Sequence, residues 1–173
     1  MSPTPGATDR GALFLVLMGV AGSGKTTLGQ ALARRLGWEF RDADGFHPPA
    51  NIAKMSAGTP LQDADRWPWL QAIRSHMEAE HAAGRSGIIA CSALKQSYRD
   101  LLGGSGDPWV RFVHLCGRRE LIEGRMRARE GHFMPVSLLD SQFATLESPA
   151  DAITLDIAQA PEALVDEVLR RLA

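Results

Sequence analysis

Five short apolar runs along the chain are separated by stretches in which apolar residues recur every three or four positions. Residues 12–18 are continuously apolar, the mark of a strand buried on both faces, and "GIIAC" at 87–91, "VRFVHLC" at 110–116 and "AITLDI" at 152–157 repeat the pattern. A weaker run covers 38–40. After the first strand, Leu28, Ala31, Leu32 and Leu36 fall on one face of a helix over 25–36 that Gly37 ends. Further amphipathic segments are predicted at 66–83, 94–102, 119–130, 137–146 and 161–172. Strands alternating with helices imply an α/β fold with a parallel sheet covered on both sides.

Helix signals refine this outline. Asp65 is read as the cap of the 66–83 helix, with Pro68 in its first turn and Leu70, Ile73 and Met77 on its buried face. Pro48 and Pro49 open a short helix through Asn51 and Met55, with Gly58 beyond its end. These two helices lie between the second and third strands, where they can flank a ligand. Residues 1–11, rich in Pro, Gly, Ser and Thr, read as a flexible leader, and 12–173 as one domain.

Composition adds bounds. The chain has 173 residues, 45% of them hydrophobic, and a formal net charge of −1, so whole-molecule charge gives no reason to expect nucleic acid or an anionic membrane as partner. The apolar run from residue 12 is interrupted at Gly19 and too short to span a bilayer, and 1–11 lack a basic export signal; a cytoplasmic location is expected. Cys91 and Cys116 have no C-x-x-C partners, so both are read as buried thiols.

The chemistry begins at "MGVAGSGKTT". Gly19-x-x-x-x-Gly24-Lys25-Thr26 is a complete phosphate-loop pattern in a strand-to-helix setting. The cradle comprises Gly19, Val20, Ala21, Gly22, Ser23, Gly24, Lys25, Thr26 and Thr27. Its backbone N–H groups and the helix dipole attract phosphate, Lys25 reaches the β- and γ-phosphates, and the Thr26 hydroxyl ligates Mg²⁺. Such loops serve switches, motors and kinases alike. No N-K-x-D base-reading sequence is present, which disfavours a guanine-nucleotide switch.

Asp42 and Asp44 in "FRDADGFH" follow the second strand at the edge where open parallel sheets bind ligands. One carboxylate can hold a metal-bound water while the other orients or deprotonates a hydroxyl; a role as turn or cap residues fits the spacing equally. His47, Asn51, Lys54, Asp65, Arg66, Ser92, Lys95 and Arg99 then supply groups suited to a small, anionic, hydroxylated substrate. Arg118, Arg125 and Arg129 form a basic stripe, and Gly131 can hinge a lid around 126–137 carrying His132 and Phe133. Arginines arriving on closure neutralise a moving phosphoryl group, although salt bridges to Glu120, Glu123 and Glu130 explain much of the same stripe. Trp67 and Trp69 read as packing anchors and His114 as a structural residue inside a strand.

"MGVAGSGKTT", "DADGFHPPANIAKMSAGTPLQDADRWPWL", "CSALKQSYRDLL" and "GHFMPVSLLDSQFATLESP" together resemble, in order, segments of the small phosphate-loop gluconokinases, relatives of shikimate and nucleoside monophosphate kinases. The resemblance implies a five-stranded parallel sheet in the order 2-3-1-4-5, a moving lid, a homodimer, and transfer of the ATP γ-phosphoryl group to the 6-hydroxyl of D-gluconate with Mg²⁺. It further implies that Asp44 aligns or deprotonates the hydroxyl, that Asp42 serves the metal, and that Arg66 contacts the acceptor. It places Arg125 and the turn at Gln159 beside adenine. His47, Lys54, Ser92, Lys95, Arg99 and His132 complete the expected substrate side, with Lys25, Arg125 and Arg129 beside Asp44 in catalysis. Shikimate-type kinases carry a glycine-rich turn after the third strand, where this chain has Cys91-Ser92-Ala93. The alternatives are a kinase for another small hydroxy acid such as shikimate, or a nucleotide-binding switch.

Overall fold

The computed structural model describes residues 11–103, 106–128 and 136–172. Five strands, β1 (Phe14–Met18), β2 (Glu39–Asp42), β3 (Gly87–Ala90), β4 (Val110–Cys116) and β5 (Ile153–Asp156), form one sheet in the order β2-β3-β1-β4-β5. Every pairing is parallel, with Val16 of β1 opposite Ile89 on one side and Phe112 on the other. This is the expected order, and it puts the exits of β1, β2 and β3 side by side.

Period-two alternation along β1 feeds two cores. Leu15 and Leu17 pack among Leu28 and Leu32 of α1 (Lys25–Leu36) and Leu164, Val165 and Val168 of α7 (Pro161–Leu172). Phe14, Val16 and Met18 face the opposite way, against Leu70, Ile73 and Met77 of α3 (Asp63–Ala82) and Leu102 of α4 (Gln96–Gly103). Because β1 is buried on both faces, its sequence is uniformly apolar rather than alternating. The remaining helices are α2 (Pro49–Ser56), α5 (Arg119–Ala128) and α6 (Val136–Thr145), with a 3₁₀ turn at Ala43–Phe46.

Three local expectations are corrected. The cap of α3 is Gln62, and Asp65 is its third residue; the Asp65 carboxylate accepts the Gln62 N–H while the Gln62 side chain accepts in return, a reciprocal capping box that begins the helix earlier than its apolar face does. Pro68 consequently lies beyond the first turn, inside the helix, where its missing N–H removes a backbone hydrogen bond. Cys116, at the end of β4, is exposed, whereas Cys91 is buried and desolvation pushes its thiol up to about 12. Of the leader, residues 1–10 lie outside the described residues.

Candidate active site

The phosphate loop joins β1 to α1 through left-handed backbone that an L side chain resists. Gly22 has φ +77° and Gly24 φ +96°. Space also demands glycine at position 22, since a Cβ there would lie 2.6 Å from Met126 Cγ of α5. Gly24 caps α1 without any side-chain acceptor, and no acidic residue occupies the first turn. The first amides of the helix therefore face outward without an internal anion, the arrangement that suits a phosphate. Lys25 folds over the loop, its Nζ donating to Gly19 O at 2.9 Å and Val20 O at 3.1 Å. Thr26 and Thr27 are exposed.

Across the sheet edge, Asp42 ends β2 and caps the 3₁₀ turn, its Oδ1 accepting the Asp44 N–H at 2.9 Å. That bond fixes the backbone at Asp44, whose side chain is exposed. The Asp44 carboxyl is held above the ordinary carboxylate range, first by desolvation and then by the Asp42 charge; His47 and Lys25 pull it partly back. His47 Nε2 lies 4.0 Å from Asp44 Oδ1, and its ring stacks on Trp69 with centroids 4.4 Å apart. Burial lowers the His47 pKa, which keeps the ring neutral near pH 7. Trp69 in turn donates its indole N–H to Ala43 O at 2.8 Å.

From His47 a polar network runs into α3. Asn51 Nδ2 bridges His47 Nδ1 (3.2 Å) and Asp65 O (2.8 Å), and Lys54 Nζ meets Asp65 Oδ1 at 2.8 Å. One turn away, Asp63 accepts from Lys95 Nζ at 3.0 and 3.2 Å, from Arg66 at 3.4 Å and from the Tyr98 hydroxyl. Asp63, Tyr98 and the buried Trp69 escaped the sequence reading as site residues. Tyr98 stands three residues after Lys95, which immediately precedes α4, a spacing that offered one available signal.

Arg99 is placed differently from the other basic residues. It is 3% exposed, and its guanidinium donates to Ala93 O (2.7 Å), Leu94 O (3.1 Å), Gln96 Oε1 (3.0 Å) and Glu147 O (2.6 Å). It clamps the loop between β3 and α4 and does not face the cleft. Ala93, in that loop, holds φ +44°, the left-handed conformation that glycine supplies in a glycine-rich turn. Ser92 contributes its carbonyl, which accepts the Gly19 N–H at 3.2 Å and ties this loop to the phosphate loop.

Beside the loop opens a cavity of about 220 Å³, lined by Gly24, Thr27, Leu115, Arg125, Gln159 and Pro161 among others. Arg125 is anchored there by donation to Ile157 O at 2.6 Å. Both sequence-predicted base-side residues, Arg125 and Gln159, therefore border one hollow adjoining the cradle. Gln142 of α6 also escaped the sequence reading; its Oε1 accepts the Ala21 N–H at 2.6 Å across 121 residues, and no local pattern announces it. Arg129, His132 and most of the predicted lid lie outside the described residues.

The groups that the sequence offers for a metal beside this cradle are the Thr26 hydroxyl, which is exposed, and the Asp42 carboxylate, whose Oδ1 also accepts the Asp44 N–H. Among the described residues, no group of three or more His, Cys, Asp or Glu side chains could hold an ion. One hydroxyl and one carboxylate fit a Mg²⁺ whose remaining ligands are phosphate oxygens and water.

Comparison with known proteins accords with this geometry. The shikimate kinase family model matches residues 21–173. The chain is 48% identical over 160 residues to a gluconokinase of Gluconobacter oxydans (strain 621H), covering 91% of this chain and 89% of that one. Its fold superposes on an unliganded sugar kinase from Janibacter sp. HTCC2649 with TM-score 0.84 and 53% identity, covering 93% and 94% of the two chains. A gluconokinase from Sinorhizobium meliloti 1021 gives TM-score 0.82 and 45% identity, covering 95% of each.

Proposed function

The chain belongs to the gluconokinases, within the shikimate kinase family, and from that premise we infer that it moves the γ-phosphoryl group of ATP to the 6-hydroxyl of D-gluconate, yielding 6-phosphogluconate and ADP. One observation carries the reading into this chain's own residues. Asp44 stands within the electrostatic reach of Lys25 of the phosphate cradle and of His47, which in turn feels Arg66 of α3.

Each residue then has a physical task. The loop amides and Lys25 fix the triphosphate and offset the charge spreading over the transferred group. Asp44, as carboxylate, aligns the acceptor hydroxyl and takes its proton; the neutral His47 ring beside it donates or accepts a hydrogen bond without competing charge. Mg²⁺, when held by Thr26 and Asp42, neutralises phosphate charge. Arg125 and Gln159 border the adenine, and Arg129 and His132 belong to the closing segment. A cytoplasmic homodimer completes the reading, supported by the family resemblance.

The test is ADP release across a panel of sugar acids including D-gluconate and shikimate. Turnover with gluconate in excess of the other acids is expected, and nucleotide hydrolysis unstimulated by any acceptor would favour a switch. Lys25→Met should cut transfer by about 10²–10³-fold, the loss typical of removing one preorganised charge donor; full retained activity would contradict the role of Lys25.

A further inference from the structure

Asn51 decides which ring nitrogen of His47 carries the hydrogen. Asn51 is 3% exposed, and its Nδ2 donates to the backbone oxygen of Asp65 at 2.8 Å. A carbonyl oxygen can only accept, so the amide nitrogen, and not the amide oxygen, occupies this position. The same nitrogen lies 3.2 Å from His47 Nδ1. An amide nitrogen offers no lone pair, so Nδ1 accepts, and the neutral ring carries its hydrogen on Nε2. Asp65 is itself held by the capping box and by Lys54, which makes the far anchor of Asn51 rigid.

Packing keeps the ring from turning over. The His47 side chain is 5% exposed and lies flat on Trp69, with ring planes 12° apart. Reversal would set a ring C–H against the Asn51 N–H in place of an acceptor. Burial and the Arg66 charge outweigh the Asp44 charge and keep a second proton off the ring.

The consequence falls on the other nitrogen. Nε2 stands 4.0 Å from Asp44 Oδ1, too far for a direct hydrogen bond, and among the described residues it has no hydrogen-bond partner. A hydroxyl oxygen about 2.8 Å from each atom bridges that gap, accepting from Nε2–H and donating its own hydrogen to the carboxylate. With the hydrogen on Nδ1 instead, Nε2 would compete with Asp44 for the hydroxyl hydrogen. We propose that Asn51 is a positioning residue that locks His47 as an Nε2–H donor, so that the acceptor's reacting hydroxyl is held between His47 and Asp44. The proposal rests on the gluconate-phosphorylating reading. In the transfer, the hydroxyl oxygen uses its remaining lone pair to form the new bond to the γ-phosphorus. Its hydrogen passes to Asp44 as a proton, and the bond from that phosphorus to the bridging oxygen breaks with its electron pair leaving on ADP.

Long-range ¹⁵N–¹H correlation spectra of the full-length protein with labelled histidine, above the ordinary histidine pKa of 6.5, read the tautomer directly. The His47 signals are those lost in His47→Gln. The low-field, unprotonated nitrogen should be Nδ1, correlating strongly with Hε1 alone, while Nε2 correlates with both ring protons. A low-field Nε2, or signals averaged between tautomers, would overturn the proposal. Asn51→Asp keeps the size of the side chain and reverses its polarity toward Nδ1, so the low-field Nδ1 signal should disappear. With gluconate, kcat should fall roughly 10- to 100-fold, the loss of one hydrogen bond to a charge-developing group, with the KM for ATP within about twofold. Retention of the Nδ1 signal or of wild-type kcat, or a loss confined to the KM for ATP, would overturn the role of Asn51. ATP-induced thermal stabilisation verifies the fold of each variant. If Asn51→Asp does not fold, His47→Gln and His47→Leu decide, since the glutamine amide N–H can stand where Nε2–H does. His47→Gln should keep a kcat at least about tenfold above that of His47→Leu, and equal values would overturn the donor role. Absence of gluconate turnover in the wild-type protein would instead sink the assignment of the acceptor and leave the tautomer spectrum as it is.

Discussion

The Asp44 carboxylate and the His47 imidazole face each other across 4.0 Å, and the imidazole is pinned from behind by the Trp69 ring. The imidazole is thus fixed beside a carboxylate that stays open to solvent, and the Asp42 charge beside it helps to raise the Asp44 pKa, which makes it a stronger base toward a hydroxyl proton.

Replacement of this base should therefore affect chemistry more than nucleotide binding. Asp44→Asn keeps the shape and loses the proton acceptor, so kcat should fall by about 10²–10⁴-fold. ATP affinity, measured by titration, should stay within a few-fold; equal losses in both would indicate a structural carboxylate. In the wild type, kcat/KM should decline in acid through a pKa above the ordinary Asp value of 3.8, and Asp42→Asn should move that limb downward because it removes a like charge.

Gly22 should tolerate no side chain. Gly22→Ala meets both the left-handed φ of +77° and Met126 Cγ at 2.6 Å. The backbone cost alone is about 1–2 kcal/mol. The KM for ATP should rise by roughly tenfold or more. The double variant with Met126→Ala should recover part of the loss, since it relieves the contact but not the dihedral; complete recovery would show that φ matters little.

Arg99 should behave as a structural residue. Arg99→Met strands the carbonyls of Ala93, Leu94 and Glu147, so stability should fall by about 3 kcal/mol or more. Denaturant unfolding would report this. Any active enzyme that remains should retain the wild-type ratio of gluconate to gluconamide KM, and a selective change in that ratio would place Arg99 at the acceptor.

Two histidines should make the fold sensitive to acid. Burial lowers the pKa of both His47 and His114, the latter also repelled by Arg99. A depressed histidine contributes stability that is present above the unfolded value of 6.5 and is lost as pH falls through the folded-state value, where the unfolded chain binds more protons. Thermal unfolding temperatures should therefore drop as pH decreases below 6.5. His114→Gln should flatten that dependence; an unaltered slope would assign it to other groups.

The cradle was legible because its chemistry is local. Gly22, Gly24 and Lys25 are neighbours in the chain, and backbone conformation over eight residues shapes the loop proposed to hold phosphate. Alternation of apolar strands with amphipathic helices likewise reflects nearest-neighbour periodicity, and both faces of β1 are buried as its uniform apolarity requires. Asp44, His47, Lys54, Arg66 and Lys95 stood out by residue type on segments following strand ends, and the structure brings them to one edge of the sheet. Their roles as acceptor contacts belong to the proposal.

By itself, then, the sequence determined the strand-helix alternation, the phosphate loop and the carboxylates beside it, since each depends on dihedrals and periodicities within a few residues. Only the tertiary structure decided that Lys95 reaches Asp63 across 32 positions, that Gln142 meets Ala21 across 121, that Arg99 turns inward, and that Cys116 faces outward. Those outcomes depend on how crossover helices pack against the sheet. A side chain's partners there are fixed by which two surfaces exclude water together, and no short stretch of chain carries that information.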